Sequence, residues 1–204
     1  MKVKTAVLVS GGGTNLQALI DYEAEHKDEC PYEIVLVISD HKDAFALQRA
    51  AKHGIPTVVV ERKACKDKSE FEDRIADALI SHGAELVVLA GFMRILSGNF
   101  ISKFPHRIMN IHPALLPSFT GLHAQGQAVA YGVKVAGCTV HFIDEGTDTG
   151  PIILQKVVPV MDDDTEDTLA DRILVEEHKA LPEAIKLCAE GRLTVEGRKV
   201  RIAR

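Results

Sequence analysis

Gly91-Phe92-Met93-Arg94-Ile95-Leu96 and Met109-Asn110-Ile111-His112-Pro113 are the two stretches on which the reading of this chain turns. Each follows an apolar run, Leu86 to Ala90 in the first case and the partly apolar Arg107 to Ile111 in the second. Strands buried on both faces of a sheet read as near-continuous apolar runs. In open α/β sheets, ligands bind beyond the carboxyl ends of such strands. Asn110 and His112 lie two apart, so on an extended strand they point to one face. An amide and an imidazole aimed at one point can stabilise an oxyanion and move a proton.

Upstream, Val3 to Val9 is apolar and β-branched, as a strand requires. It ends in Ser10-Gly11-Gly12-Gly13-Thr14-Asn15, and Leu16 to Ile20 begins a helix. Strand, glycine turn and helix form the first unit of a doubly wound sheet. Backbone N–H groups at such a helix start bind anions, and the glycines leave the backbone open to a ligand. Leu16 stands where a dinucleotide fingerprint has its third glycine, and no Gly-Lys-Ser/Thr of a P-loop follows. The turn therefore suits a single phosphate monoester, with Thr14 and Asn15 adding side-chain donors. The alternative is a glycine turn without a ligand. Glu33 to Ser39 is the second strand. Its end, Asp40, is either a turn-capping acid or the ribose-binding acid of a dinucleotide fold.

Ala44 to Lys52 has helical character and stops at Gly54, and Thr57 to Val60 is a third strand. Ser69 reads as the cap of a helix with Glu70, Glu72 and Asp73 in its first turn. Leu86 to Ala90 is the fourth strand, Ser97 to Lys103 a short helix, and Pro113 stops the fifth strand. Ala124 to Tyr131 is helical. Ala136 to Phe142 alternates like a strand and Ile152 to Pro159 is another. The two can pair as a long hairpin around the polar loop Asp144 to Gly150. Thr168 to Glu190 is a long amphipathic helix interrupted by Pro182, and Leu193 to Ile202 closes the chain as a small hairpin. Alternating β and α to about residue 112, then a more antiparallel half, predicts an α/β doubly wound, mainly parallel fold. We expect one domain, 1–204, with lobes of about 1–105 and 106–204.

A chain of 204 residues, 46% apolar, has material for one large domain with a sizeable core. No apolar run approaches the roughly 18 residues of a membrane span. The N-terminus enters a strand without the regions of a signal peptide, so a cytoplasmic setting without a membrane is expected. A net charge of -5 without a basic stripe argues against nucleic acid. Arg198-Lys199-Val200-Arg201 reads as a solvated end. Cys30, Cys65, Cys138 and Cys188 are scattered, which favours reduced, mostly buried thiols. The histidines lack metal-ligand spacing, so no metal is expected.

Of the nine histidines, His26, His53, His82 and His106 fall near helix ends or turns and read as solvated. His141 reads as a packed core group on a strand. His112 stands apart because it ends a buried run and precedes a proline loop. An imidazole that works needs an acid to hold its tautomer and support its charged form. Asp148 is the best candidate and Asp144 the competitor; each is otherwise a turn-forming Asp beside glycine. Glu177, beside His178 on the last helix, reads as a substrate contact or as part of a solvated face. Together these residues suggest acyl or one-carbon transfer through a tetrahedral intermediate.

The chain resembles the folate-dependent formyltransferases, and within them the glycinamide ribonucleotide branch. The resemblance rests on Ser10 to Ala18, Ala90 to Ser97, Asn110 to Ser118, Gly121-Leu122-His123 and the run from His141 to Pro159. It implies a Rossmann-like formyltransferase fold. It also implies a transferase of one-carbon metabolism and purine biosynthesis, moving the formyl group of 10-formyltetrahydrofolate onto the amine of 5′-phosphoribosylglycinamide. By resemblance, His112 is the proton donor and Asn110 the second oxyanion partner, while Asp148 supports the charged imidazole. Gly13, Thr14 and Asn15 then hold the ribonucleotide phosphate, and a branched side chain at Gly13 would block that approach. Glu177 contacts the glycinamide. Met93, Arg94, Ile95 and Leu96 line the pterin pocket, Asn110, Ile143 and Asp144 add folate contacts, and Lys68 meets the folate tail. The chain departs from the family at Gly12 and Thr14, where Asn and Ser are frequent; Thr keeps the hydroxyl. A tRNA formyltransferase would carry a further C-terminal domain and a formyltetrahydrofolate hydrolase an N-terminal one, so neither is expected. The partners expected are small molecules, with the protein a monomer or homodimer.

Overall fold

The computed structural model describes residues 1–203, and the chain separates into two compact units, Met1–Met109 and one that begins at Asn110. The first unit contains β1 (Val3–Val9), α1 (Thr14–His26), β2 (Tyr32–Ser39), α2 (Phe45–Lys52), β3 (Thr57–Val59), α3 (Lys68–Ser81), β4 (Leu86–Leu89) and α4 (Gly98–Ile101). Its strand order is β3-β2-β1-β4. β1 pairs in parallel with β2 and β4, and β2 with β3. The apolar runs account for this. Ala6 to Val9 and Leu86 to Val88 are fully buried, as strands covered on both faces must be. One face of α1 buries Leu16, Leu19 and Ile20, each worth about 1.5–3 kcal/mol of transfer free energy.

Strand β5 (Ile108–His112) crosses the boundary between the units. The second unit continues with α5 (Ala124–Tyr131), β6 (Val135–Phe142), β7 (Ile152–Pro159), α6 (Glu166–Ala189), β8 (Leu193–Glu196) and β9 (Lys199–Ile202). β6 and β7 form the long antiparallel hairpin expected, Val135 opposite Pro159, and β8 and β9 form the small one. The fold is mixed α/β, with parallel strands first and antiparallel strands in the C-terminal part.

Four expectations are corrected. The α3 cap is Asp67, whose carboxylate accepts from the Glu70 N–H at 2.9 Å, and Ser69 lies inside the helix. α1 starts at Thr14, before its first apolar residue, with Gly13 as cap residue in the left-handed region. α6 starts at Glu166 behind a Thr165–Thr168 capping box and continues through Pro182. β6 is buried from Ala136 to Phe142 and does not alternate between core and solvent. Its polar residues, Thr139 and His141, are fully buried and hydrogen-bonded. Thr139 Oγ1 donates to the Ala114 carbonyl at 2.7 Å and accepts from the Leu116 N–H at 3.1 Å.

Candidate active site

In the first unit the loops after β1 and β4 are tied together by the main chain. The Ser10 N–H donates to the Gly91 carbonyl at 3.1 Å, and the Met93 N–H donates to Ser10 Oγ at 2.9 Å. The carbonyls of Gly11 and Gly12 are engaged by α2, through the Ala46 N–H at 3.0 Å and Arg49 Nε at 2.8 Å. Helix starts such as that of α1 favour anions. Thr14 is exposed and Asn15 is buried. Gly13 is fixed by packing. Its φ is 71°, and a Cβ there would lie 2.5 Å from Ala46 Cβ. A branched side chain at Gly13 therefore strikes α2 before it meets any phosphate.

The loop after β4 shows two apolar side chains, Met93 at 63% and Ile95 at 65% exposure, while Leu96 is buried. The loop is anchored at both ends. Arg94 Nε donates to Asp40 Oδ2 at 2.6 Å, and the Ser97 N–H donates to Glu72 Oε1 at 2.7 Å. The Ser97 hydroxyl donates to Glu72 Oε2. Lys68 Nζ lies 3.7 Å from Glu72 Oε1 on the first turn of α3. Asp40 is neither the turn cap nor the ribose acid considered from the sequence. Its side chain is 1% exposed and its Oδ2 is held by Arg94, with His41 Nε2 at 3.6 Å.

In the second unit, β5 delivers Asn110 and His112, as their spacing predicts, and β6 delivers His141. His112 is 5% exposed. Its Nδ1 lies 3.5 Å from Asp148 Oδ2, and its Nε2 lies 2.8 Å from the Phe119 carbonyl. Asp148 occupies the left-handed region, φ 54°, a conformation that Asp tolerates better than most residues. Its Oδ2 also accepts from the Gly121 N–H at 2.8 Å. Its other oxygen is 3.9 Å from His141 Nε2.

Asp144, the competing acid, closes its own loop. Its Oδ1 accepts from the Gly146 N–H at 3.1 Å and from Thr149 Oγ1 at 2.6 Å. Ile143 is half-buried just before it. Gly150 ends the loop where a Cβ would fall 1.8 Å from the Phe142 carbonyl. The Thr149 carbonyl accepts from Arg198 at 2.9 Å, while Arg198 stays exposed, as a solvated end should be.

The structure sharpens the reading of two further side chains. Glu177 is buried at 7% exposure and so does not belong to a solvated face. His141 is buried as expected, but it is not a bystander of the core: its Nε2 lies 3.2 Å from Asn110 Nδ2. Burial pushes its imidazole below the ordinary value of 6.5, against opposing help from the Phe142 carbonyl and the Asp148 carboxylate. Its only sequence signal was a polar residue on a strand with buried neighbours. Cys138 is packed and inert, because burial pushes its thiol up to about 12.

This constellation can hold an anionic tetrahedral centre and exchange a proton with it. The formyl transferase family model matches residues 3–185. The chain belongs to the formyl transferase family.

Relatives agree with that placement. A protein of Haemophilus influenzae named phosphoribosylglycinamide formyltransferase is 42% identical over 193 residues, covering 95% of this chain and 90% of its own length. The trifunctional purine biosynthetic protein adenosine-3 of Bos taurus is 47% identical over 97% of the chain. The chain spans only 20% of that relative's length. A solved glycinamide ribonucleotide transformylase 1 from Symbiobacterium toebii superposes with a TM-score of 0.97 at 50% identity, covering 100% of this formyltransferase and 95% of that chain.

Proposed function

We propose that the chain transfers the formyl group of 10-formyltetrahydrofolate to the amine of 5′-phosphoribosylglycinamide, giving the N-formyl product and tetrahydrofolate for purine synthesis. The observation that carries this reading is the hydrogen-bonded environment of His112. Its Nδ1 faces the Asp148 carboxylate at 3.5 Å, its Nε2 faces a carbonyl at 2.8 Å, and Asn110 lies two residues before it on the same strand. Both neighbours are acceptors: a ring with hydrogens on both nitrogens donates to the Phe119 carbonyl and holds its second N–H within ion-pair distance of the Asp148 carboxylate. Such a ring suits the reaction.

The substrate amine attacks the formyl carbon, and the carbonyl oxygen becomes an oxyanion. His112 Nε2–H and an N–H of Asn110 stabilise that oxyanion. As the bond from the formyl carbon to the folate nitrogen breaks, that nitrogen takes a proton from His112, and the proton lost by the attacking amine restores the balance. Asp148 keeps the imidazole oriented and supports its charged form. Gly13, Thr14 and Asn15 bind the ribonucleotide phosphate, and Glu177 meets the glycinamide. Met93, Arg94, Ile95 and Leu96 line the pterin pocket, with Asn110, Ile143, Asp144 and Lys68 as further folate contacts. The two lobes of a single formyltransferase domain divide this work, phosphate in the first and proton transfer in the second. The protein works on small molecules in the cytoplasm, as a monomer or homodimer and without a metal. Among the described residues, no helix is long and apolar enough to cross a membrane.

The test is release of tetrahydrofolate from 10-formyltetrahydrofolate, followed by absorbance with and without 5′-phosphoribosylglycinamide. Turnover only with the amine is expected. Turnover without it would make water the acceptor and the protein a hydrolase. No turnover in either case would overturn the role given to His112.

A further inference from the structure

His141 is the histidine for which the reaction above has no direct use, yet it is fully buried at the centre of the cluster. Its hydrogen bonds fix its tautomer. A neutral imidazole has one donor nitrogen and one acceptor nitrogen. Nδ1 lies 2.9 Å from the Phe142 carbonyl, which can only accept, so Nδ1 carries the hydrogen. Nε2 is then a lone-pair acceptor. It lies 3.2 Å from Asn110 Nδ2, which can only donate. The carboxamide of Asn110 is thereby set in one of its two orientations. The amide nitrogen faces His141, the amide oxygen is turned away, and the second N–H of Nδ2 remains to be offered elsewhere. A flipped carboxamide would put oxygen against the Nε2 lone pair. The groups that face this ring are the Asp148 carboxylate, with Oδ1 at 3.9 Å, and more distantly His112 and Asp144.

We propose that His141 is a positioning residue for the formyl transfer: its Nε2 lone pair holds the Asn110 carboxamide so that the amide N–H, not the carbonyl, meets the developing oxyanion. This rests on the oxyanion role of Asn110 proposed above. It assigns His141 no contact with substrate. The oxyanion gains from an N–H already aimed at it, because the carboxamide does not have to turn as charge develops. The chain of orientation runs from the Phe142 carbonyl through the imidazole to the amide, and its last member alone touches the reacting atoms.

The test uses the reach of two amide side chains. Gln at position 141 extends its carboxamide oxygen toward the place of Nε2, where it can accept from Asn110. Asn reaches only the place of Nδ1. In formyl-transfer assays, H141N should lose about ten- to a hundred-fold in kcat, the scale for a misdirected oxyanion donor. KM for both substrates should stay within about twofold, because the interaction is made in the transition state. H141Q should recover most of the rate. In an N110A background, H141N should cost no further rate, since the group it positions is gone.

Equal losses from H141N in the wild-type and N110A backgrounds would overturn the positioning role, as would an H141Q enzyme no better than H141N. An N110A enzyme with full kcat would overturn the oxyanion role of Asn110, and the positioning role with it. Imidazole ¹⁵N shifts of the unmutated protein give a check that does not depend on variants folding. They should report hydrogen on Nδ1 of His141; hydrogen on Nε2 would overturn the proposal.

Discussion

The glycine loop after β1 and the imidazole cluster on β5 and β6 are built on opposite plans. The loop is held by its main chain. Its carbonyls are taken by Ala46 and Arg49, its helix begins in a left-handed glycine, and what it offers is backbone N–H. The cluster is held by side chains. Asn110, His112, His141 and Asp148 lie close to one another or hydrogen-bond, and neighbouring loops supply only capping groups such as the Phe119 carbonyl and the Gly121 N–H. A backbone-built site tolerates exchange of side chains but not of dihedral angles. A side-chain site keeps its fold through conservative substitutions and loses its chemistry.

The largest effect expected from that contrast is in the cluster. Asp148→Asn keeps the shape, can still accept from Gly121 and tolerates φ 54°. It removes the carboxylate charge that lies 3.5 Å from His112 Nδ1. We expect kcat to fall by about 10²–10⁴, with folate affinity retained in equilibrium binding. A variant with unchanged turnover and unchanged pH profile would end the role assigned to Asp148.

A smaller effect, and one of the opposite kind, is expected in the loop. Gly13→Val meets Ala46 Cβ and strains a left-handed residue. It should cost about 2–5 kcal/mol of stability, read as a lower midpoint in urea unfolding, together with weakened ribonucleotide binding. An unchanged midpoint with lost phosphate affinity would restore the simpler view that the glycine serves ligand approach alone.

The smallest effect concerns acid stability. The His141 imidazole is held below its ordinary value of 6.5 by burial. The unfolded ring binds a proton on falling below 6.5, while the folded ring resists. Stability from this group is therefore complete above 6.5 and is lost as pH falls through the lower folded value. His141→Gln should flatten the pH dependence of unfolding in that window. An identical slope in the variant would show that other groups set it.

How much of this was legible follows from the same contrast. The parallel strands could be read because their apolar runs are local and continuous. Asn110 and His112 could be read because a spacing of two on a strand is a local rule. Asp148 was preferred to Asp144 because the expected hairpin carries its loop to the same sheet end; in the structure Asp148 lies beside His112, while Asp144 is engaged by Gly146 and Thr149. His141 was read correctly as a buried group on a strand, but its partner Asn110 lies 31 residues away, and no periodicity reports a contact at that separation. Asp40 was misread for the same reason: Arg94, which neutralises it, lies 54 residues downstream. Gly13 was assigned to ligand approach because packing against Ala46 is a tertiary fact.

One contact described above sets a limit on what His112 can contribute. Its Nε2 already has an acceptor, the Phe119 carbonyl at 2.8 Å. A substrate oxygen reaching that nitrogen exchanges one hydrogen bond for another and does not add one. Against a ground-state carbonyl of similar basicity the exchange is nearly neutral, so it gives little affinity. Against an oxyanion it is favourable, because a charged acceptor binds an N–H about twice as strongly as a neutral one. In the proposed mechanism the Phe119 carbonyl acts as an internal reference that subtracts the uniform part of the interaction. What survives the subtraction is the difference between substrate and transition state, which is the only part that accelerates a reaction.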